Sequence, residues 1–400
     1  MVDPVEIDQF LQRRLQRGGI VPAGRRCPTQ PVQRRARCKE PGLAEQQRME
    51  RTEPLALGER AVDPIRPKGR RRGDPLPEAA QALNAAMYLP VEIATGAEVW
   101  WSSAATFADF DGDGHADLLV TNYFPDNTVL LGDAAGPLTW MEESLSRAFN
   151  GGGTHLFRWE SAAKDGNPAV TFSEVEGLFS DEIAHAWTLA VGAADLDGDL
   201  LPEIYFANDY GPDRLMHNRS TPGAMHFAPL QGEKFFTTPN SQVLGRDSFK
   251  GMGVDFGDIN GDGLLDIYVS NIAADYALHE SHFAWINTGE TARMKDGVAP
   301  FVDQGEALGL SRSSWSWESR LADLNNDGVL EALQATGFKK GSVNRWAELQ
   351  ELGLGNDNLT HFPAAWPNFG LEDDLNGDAA NGFFVRGASA VSYTHLRAHE

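Results

Sequence analysis

Cysteine is nearly missing from this sequence: its 400 residues hold two, Cys27 and Cys38, too few for a disulfide framework. No apolar run approaches the ~18 residues that a membrane-spanning helix needs, so no membrane span is expected. Basic residues are scarce over most of the chain. Residues 76–400 carry 17 Lys and Arg against 47 Asp and Glu, whereas residues 1–75 carry 17 against 10 and one aromatic residue, Phe10. An acidic surface cannot displace the counterions of a nucleic acid, which excludes that class of partner for the larger part. With almost no aromatics, residues 1–75 have little to bury and read as a disordered or mistranslated Arg/Pro-rich segment. The first residues lack the cationic and apolar regions of a signal peptide. No Gly-x-Ser-x-Gly elbow is present, and Gly151–Gly153 lacks the Gly-Lys-Ser/Thr that completes a phosphate loop. His279-Glu280-Ser281-His282 has the wrong spacing for a His-Glu-x-x-His zinc helix and reads as a polar loop.

What the sequence does contain is a repeat. Four segments align without gaps, beginning at Asp109, Asp195, Asp258 and Asp323, at intervals of 86, 63 and 65 residues. Their pattern is Asp-x-Asp/Asn-x-Asp-Gly-x-x-Asp/Glu followed by apolar residues. Loop 1 supplies Asp109, Asp111, Asp113 and Asp117, loop 2 Asp195, Asp197, Asp199 and Glu203. Loop 3 supplies Asp258, Asn260, Asp262 and Asp266, loop 4 Asp323, Asn325, Asp327 and Glu331. Trp101, Trp187 and Trp315 each stand eight residues before a loop, so the similarity extends beyond a local run of charge.

Oxygen side chains at positions 1, 3 and 5 of a tight turn face one point, and a Gly at position 6 permits the turn. The position-7 backbone carbonyl (His115, Leu201, Leu264, Val329) and the position-9 carboxylate complete the shell. So many hard oxygen ligands suit Ca²⁺, while Mg²⁺ prefers to keep waters. The pattern holds no His or Cys side-chain ligand, which disfavours zinc and copper. Up to four calcium sites are therefore expected. They are not EF-hands, because position 12 is Val120, Phe206, Val269 or Gln334 rather than Glu. Loop 2 departs from the others in having Leu200 where they have Gly114, Gly263 and Gly328. If that position needs φ > 0, loop 2 either bends differently or binds more weakly than loop 1. Loops 3 and 4, with three carboxylates each, should also bind more weakly.

Each loop runs into a strand apolar on both faces: Leu118–Thr121, Ile204–Ala207, Ile267–Ser270. A turn and a second strand follow, at Thr128–Leu131 and Arg214–His217, and outer strands fall at Val170–Val175 and Pro300–Val302. Three or four short strands per unit of roughly 60–65 residues are the content of a β-propeller blade. The expected fold is thus an all-β propeller over residues 76–390, with four blades evident and an insertion in the first, within Gly132–Asp165. Residues 391–400 break the pattern and read as a foreign tail, so the chain reads as a fragment of a longer protein.

The loops, with Phe206-Ala-Asn208-Asp209-Tyr210-Gly211-Pro212-Asp213-Arg214-Leu215 and Gly251-Met252-Gly253-Val254-Asp255-Phe256-Gly257-Asp258, resemble the FG-GAP or VCBS-type calcium-binding repeats of integrin-α-like propellers. Within that group they are similar to bacterial relatives of cartilage acidic protein. The resemblance implies about seven blades in the intact fold, one calcium per loop, an extracytoplasmic place and often a C-terminal ASPIC/UnbV domain. It implies a non-enzymatic binding or adhesion module, at the cell surface, in the periplasm or secreted, for a protein or glycan ligand. The alternative is a propeller-fold enzyme acting on polysaccharide through a central-channel site. A Lys, Arg or His paired with a carboxylate away from the loops would favour it.

Overall fold

A computed structural model describes residues 99–128, 146–163, 169–274, 280–355, 357–387 and 391–396, with Ile93, Glu142 and Ser144. The readings of residues 1–75 and 397–400 fall outside the described residues.

The described residues form four antiparallel four-stranded sheets, each a meander in sequence order from its first strand outward. Blade 1 contains β1 (Trp101–Ala108), β2 (Asp117–Phe124), β3 (Thr154–Ala163) and β4 (Ala169–Glu174). Blade 2 contains β5 (Trp187–Ala194), β6 (Glu203–Tyr210), β7 (Arg214–Asn218) and β8 (Phe227–Leu230). Blade 3 contains β9 (Gly253–Gly257), β10 (Asp266–Ser270), β11 (Phe283–Asn287) and β12 (Phe301–Asp303). In blade 4, β13 (Ser316–Ala322) and β14 (Glu331–Thr336) are followed by a small parallel pair, β15 (Val343–Asn344) and β16 (Asp373–Asp374). The blade then resumes with β17 (Asn381–Arg386) and β18 (Val391–Leu396), so part of the expected tail is a paired strand. Among the described residues, helix is confined to short segments, the longest being Trp346–Gly355. The architecture is all-β and propeller-like.

The first strands of successive blades, β1, β5, β9 and β13, lie side by side. The second strands carry the core, and their alternation explains why they are apolar on both faces. Ile204 and Phe206 of β6 pack with Leu119 and Leu156 of blade 1. Tyr205 and Ala207, between them in sequence, pack with Ile267 and Val269 of blade 3. Tyr268 then faces Ala332 and Phe384 of blade 4. Each blade is one slab of a continuous stack.

Both long connections leave from the same topological point, between the second and third strands. Blades 2 and 3 cross it briefly, but blade 1 spends residues 125–153 there and blade 4 residues 337–380. The two insertions meet, Thr360 Oγ1 donating to the Glu142 carbonyl at 2.8 Å. The expected strand at Thr128–Leu131 falls mostly outside the described residues, which omit 129–131. Thr128 lies outside any strand, and the partner of β2 is β3. The insertion thus precedes β3, because the segment able to extend the sheet begins at Thr154.

Candidate metal centres

All four acidic loops join the first strand of a blade to the second, at the end opposite the long insertions. They share one backbone. In loop 1, Asp113 and Gly114 donate their N–H groups to Asp109 (3.0 and 2.8 Å), and His115 N–H donates to Asp113 at 2.8 Å. In loop 4, Asp327 and Gly328 donate to Asp323 (3.0 and 2.9 Å) and Val329 to Asp327 at 2.8 Å. Loops 2 and 3 repeat the bonds from position 6 to position 1 and from position 7 to position 5. Two positions are left-handed. Position 6 has φ of +89°, +75°, +86° and +83° at Gly114, Leu200, Gly263 and Gly328. Position 4 has φ of +72°, +82°, +84° and +61° at Gly112, Gly198, Gly261 and Asn326. Gly or Asn at position 4 carried that signal in the sequence. Of the two outcomes anticipated for Leu200, a different bend is not what the fold adopts. Leu200 keeps the common turn, its side chain 85% exposed.

The position-9 carboxylate is a strut at the base of the loop. Asp117 accepts Phe110 N–H and Trp159 N–H, both at 2.9 Å. Glu203 accepts Leu196 N–H (2.9 Å) and Asn218 N–H (3.2 Å). Asp266 accepts Ile259 N–H (2.8 Å) and Asn287 N–H (2.9 Å). In blade 4, Glu331 accepts Leu324 N–H at 2.8 Å and the Asn325 side-chain amide at 2.9 Å. One carboxylate therefore clamps position 2 of the loop, and in blades 1–3 it also clamps the third strand.

Position 2 in turn serves the next blade. The Phe110 carbonyl accepts the Asn218 amide at 2.9 Å, and the Leu196 carbonyl accepts the Asn287 amide at 3.2 Å. The side chains of Phe110, Leu196 and Ile259 enter the cores shared with the following blade. The sequence pattern had treated position 2 as free, although all four loops carry an apolar residue there. Asn218, which matches a glycosylation sequon, is buried in this latch.

Carboxylates converge in loops 1 and 2. One oxygen each from Asp109, Asp111 and Asp117 lies within 4.8 Å of the others, and so do oxygens of Asp195, Asp197 and Asp199. Asp113 stands outside the first group. Glu203 joins Asp197 in a separate group with His217, a residue of β7 that the loop pattern could not reveal. In loops 3 and 4, Asn260 and Asn325 donate to Asp262 and Asp327 at 2.7 and 3.1 Å. Burial pushes Asp117 up to about 6 and Glu203 up to about 8, despite the backbone donors that oppose it, and neighbouring Asp side chains add to the rise. Asp197 and Asp266 are raised for the same first reason. Without a cation, desolvation outweighs the hydrogen bonds.

Other sequence candidates have structural roles. Trp101, Trp187 and Trp315 fasten the start of a first strand through their indole N–H, to Thr128 O (3.1 Å), Asn150 Oδ1 (2.7 Å) and Met252 Sδ (3.2 Å). Blade 3 has Lys250 at that register, ion-paired with Glu280 in the interior. His282 accepts Asn271 N–H at 2.9 Å, and burial lowers its pKa to about 3. The expected polar loop is thus, at Glu280 and His282, a buried brace. Trp100, outside the repeat register, stacks on His155 at 4.1 Å.

Four-stranded meanders with an acidic loop after each first strand define a propeller-like repeat protein. Residues 195–269 match the FG-GAP-like repeat and residues 100–136 the FG-GAP repeat, so the segments that hold loops 1, 2 and 3 carry FG-GAP repeats. Among solved structures, it is similar to a lectin from Agrocybe aegerita described as specifically recognising non-reducing terminal N-acetylglucosamine. Identity is 18% over 57% of this chain, which spans 59% of that one, with a TM-score of 0.25. That likeness is too slight to carry over a ligand. No curated protein matches the chain.

Two consequences are measurable by chemical denaturation in EDTA. Leu200→Gly should stabilise by about 1 kcal/mol, because it relieves a left-handed φ without removing a contact from the core; a loss of stability would contradict this. Asp266→Ala should cost about 2–4 kcal/mol, since it strands two N–H groups at the base of the loop. Asp258→Ala, on the exposed side of the same loop, should cost under about 1 kcal/mol. Equal costs would contradict the strut.

Proposed function

We propose that this chain is a calcium-binding, propeller-like binding module that works outside the cytoplasm, with calcium structural in its loops. The observation that carries this reading is the convergence of Asp109, Asp111 and Asp117, and of Asp195, Asp197 and Asp199, in loops of one backbone form. Bound calcium would neutralise carboxylates that burial otherwise drives towards protonation. The side chains at positions 1, 3, 5 and 9 would hold it, with the carbonyls of His115, Leu201, Leu264 and Val329. The fit is good in loop 1, where position 9 stands with positions 1 and 3, and in loop 2, where positions 1, 3 and 5 meet. Loops of this exposed, oxygen-only kind in extracellular modules bind at about 10⁻⁴–10⁻³ M, which suits an extracytoplasmic place.

The partner, a protein or a glycan, would meet the opposite face. Support comes from the two insertions, which join there and expose Phe149, Phe362 and Leu371 at 56%, 57% and 75%. Of the cation–carboxylate pairs away from the loops, Lys250 and Glu280 give the enzyme alternative nothing, because this pair is buried and Glu280 also accepts the N–H groups of Lys250 and Ile272 at 3.2 Å.

Thermal unfolding of the full chain tests the calcium reading. Calcium at 100 times its dissociation constant should stabilise by about 2.7 kcal/mol per site, less so in Asp109→Ala and Asp258→Ala. Indifference to calcium would refute it. The pH dependence has a definite sign. A carboxyl whose folded pKa is raised contributes stability fully below its unfolded pKa, and that contribution is lost as pH rises through the folded value. In EDTA, stability should therefore fall between about pH 4.5 and 8, the window set by Glu203. Glu203→Gln should remove part of the slope, and saturating calcium should flatten it.

A further inference from the structure

We infer that loop 2 is a mixed nitrogen–oxygen metal site, with Asp197, Glu203 and His217 as ligands for a borderline divalent cation such as Zn²⁺ or Co²⁺. This rests on loop 2 being a cation site and changes which cation it takes. The loop pattern alone, with oxygen ligands only, points to calcium at all four loops. Folding adds a nitrogen to one of them.

One ligand atom from each of the three residues lies within 4.8 Å of the other two. His217 Nε2 stands 3.5 Å from Asp197 Oδ2. That is long for an N–H···O bond, but close to the edge of a tetrahedron built on metal–ligand bonds of ~2.0–2.2 Å. The other Asp197 oxygen is held by Asp199 N–H at 3.1 Å, which turns Oδ2 towards the imidazole. Glu203 is fixed by its two backbone donors, each oxygen keeping a lone pair. All three ligands are thus held before a cation arrives, and His217 is 3% exposed.

The far side of the ring is fixed as well. His217 Nδ1 lies 3.1 Å from the Met294 carbonyl, which only accepts and so calls for Nδ1–H. Arg219 Nε lies 3.1 Å from the same nitrogen and calls for its lone pair instead. A cation on Nε2 resolves this conflict in favour of Nδ1–H, the arrangement in which a ligating histidine donates its second N–H to a carbonyl. Arg219 keeps its bonds to the carbonyls of Met294 (3.0 Å) and Lys295 (2.9 Å). Its charge offsets part of the two carboxylates, so the site has less excess negative charge than an all-carboxylate calcium loop.

Strand pairing places the equivalents of His217 at Arg158 in blade 1, Ile286 in blade 3 and Val385 in blade 4. None is a metal ligand, so among the four blades the nitrogen belongs to blade 2. Asp197 also belongs to the group with Asp195 and Asp199, so the two kinds of cation compete for one loop. Three protein ligands leave a position for water, as in open zinc sites.

The test is equilibrium titration of the full, untagged chain with Co²⁺, read by visible absorption, with Zn²⁺ as competitor. His217→Ile installs the residue that blade 3 carries at this register, and its unfolding in EDTA checks that it folds. The expected result is one Co²⁺ per chain with an absorption band that Zn²⁺ abolishes, and at least tenfold weaker binding in His217→Ile. The calcium-induced stabilisation lost in Asp109→Ala and Asp258→Ala should be unchanged in that variant. Co²⁺ binding equal in parent and variant overturns the inference, as does no Co²⁺ binding by a parent that calcium still stabilises; either result leaves the calcium reading standing. A chain that takes Co²⁺ through His217 but ignores calcium would overturn the calcium reading alone. If His217→Ile fails to fold, His217→Gln takes its place, and unchanged affinity there is equally fatal.

Discussion

A single carboxylate at the ninth position of each acidic loop accepts a backbone N–H from the second position, and in three blades another from the third strand. This strut fixes the angle at which the loop leaves the sheet and the register of the strand that follows. Burying an unpaired N–H costs about 1–3 kcal/mol, so removing the acceptor exposes the fold to two such penalties at once. Burying the carboxylate is itself expensive, and desolvation wins over its two hydrogen bonds at Asp117 and Glu203, whose pKa values rise to about 6 and about 8. The strut therefore leaves a local deficit of positive charge. A cation in the loop would answer that deficit, so any metal chemistry would meet the structural role at one residue.

The same geometry couples blades. Position 2 gives its N–H to the strut, its carbonyl to an Asn of the next blade and its side chain to the core between them. Phe110 and Leu196 do all three. Ile259 has the first and third, while in blade 4 Arg386 reaches the carbonyl of Asn260, one residue further on, at 2.9 Å. A change in one loop is felt by its own blade through the strut and by its neighbour through the latch.

Much of this was legible before any coordinates. The repeat fixed the number of described blades, because its spacing exceeds what a hairpin needs and each unit supplies several short strands. Ile204–Ala207 and Ile267–Ser270 read correctly as buried on both faces, since an unbroken apolar run of that length has few other homes. The less legible features all depend on through-space pairing. Nothing in Thr128–Leu131 reveals that β2 waits for Thr154, because β-propensity does not name a partner strand. Position 4 and position 2 carried signals, Gly or Asn at the first and an apolar residue at the second, that matter once the turn is seen. His217 lies fourteen residues beyond Glu203 in a different strand, and only sheet register brings it to Asp197. Lys250 broke the Trp pattern because a buried ion pair with Glu280 replaces the indole as the fastening of the first strand.

The central claim is that the acidic loops hold cations on the ligands named. The most direct measurement is a crystal structure of the full chain grown in millimolar calcium, with anomalous difference maps that locate the ion. A peak in loop 1 about 2.3–2.6 Å from oxygens of Asp109, Asp111 and Asp117, with the strut bonds of Asp117 intact, is the expected result. Loops of the same backbone form with no anomalous peak, and lysine or arginine side chains turned in to neutralise them, would contradict it.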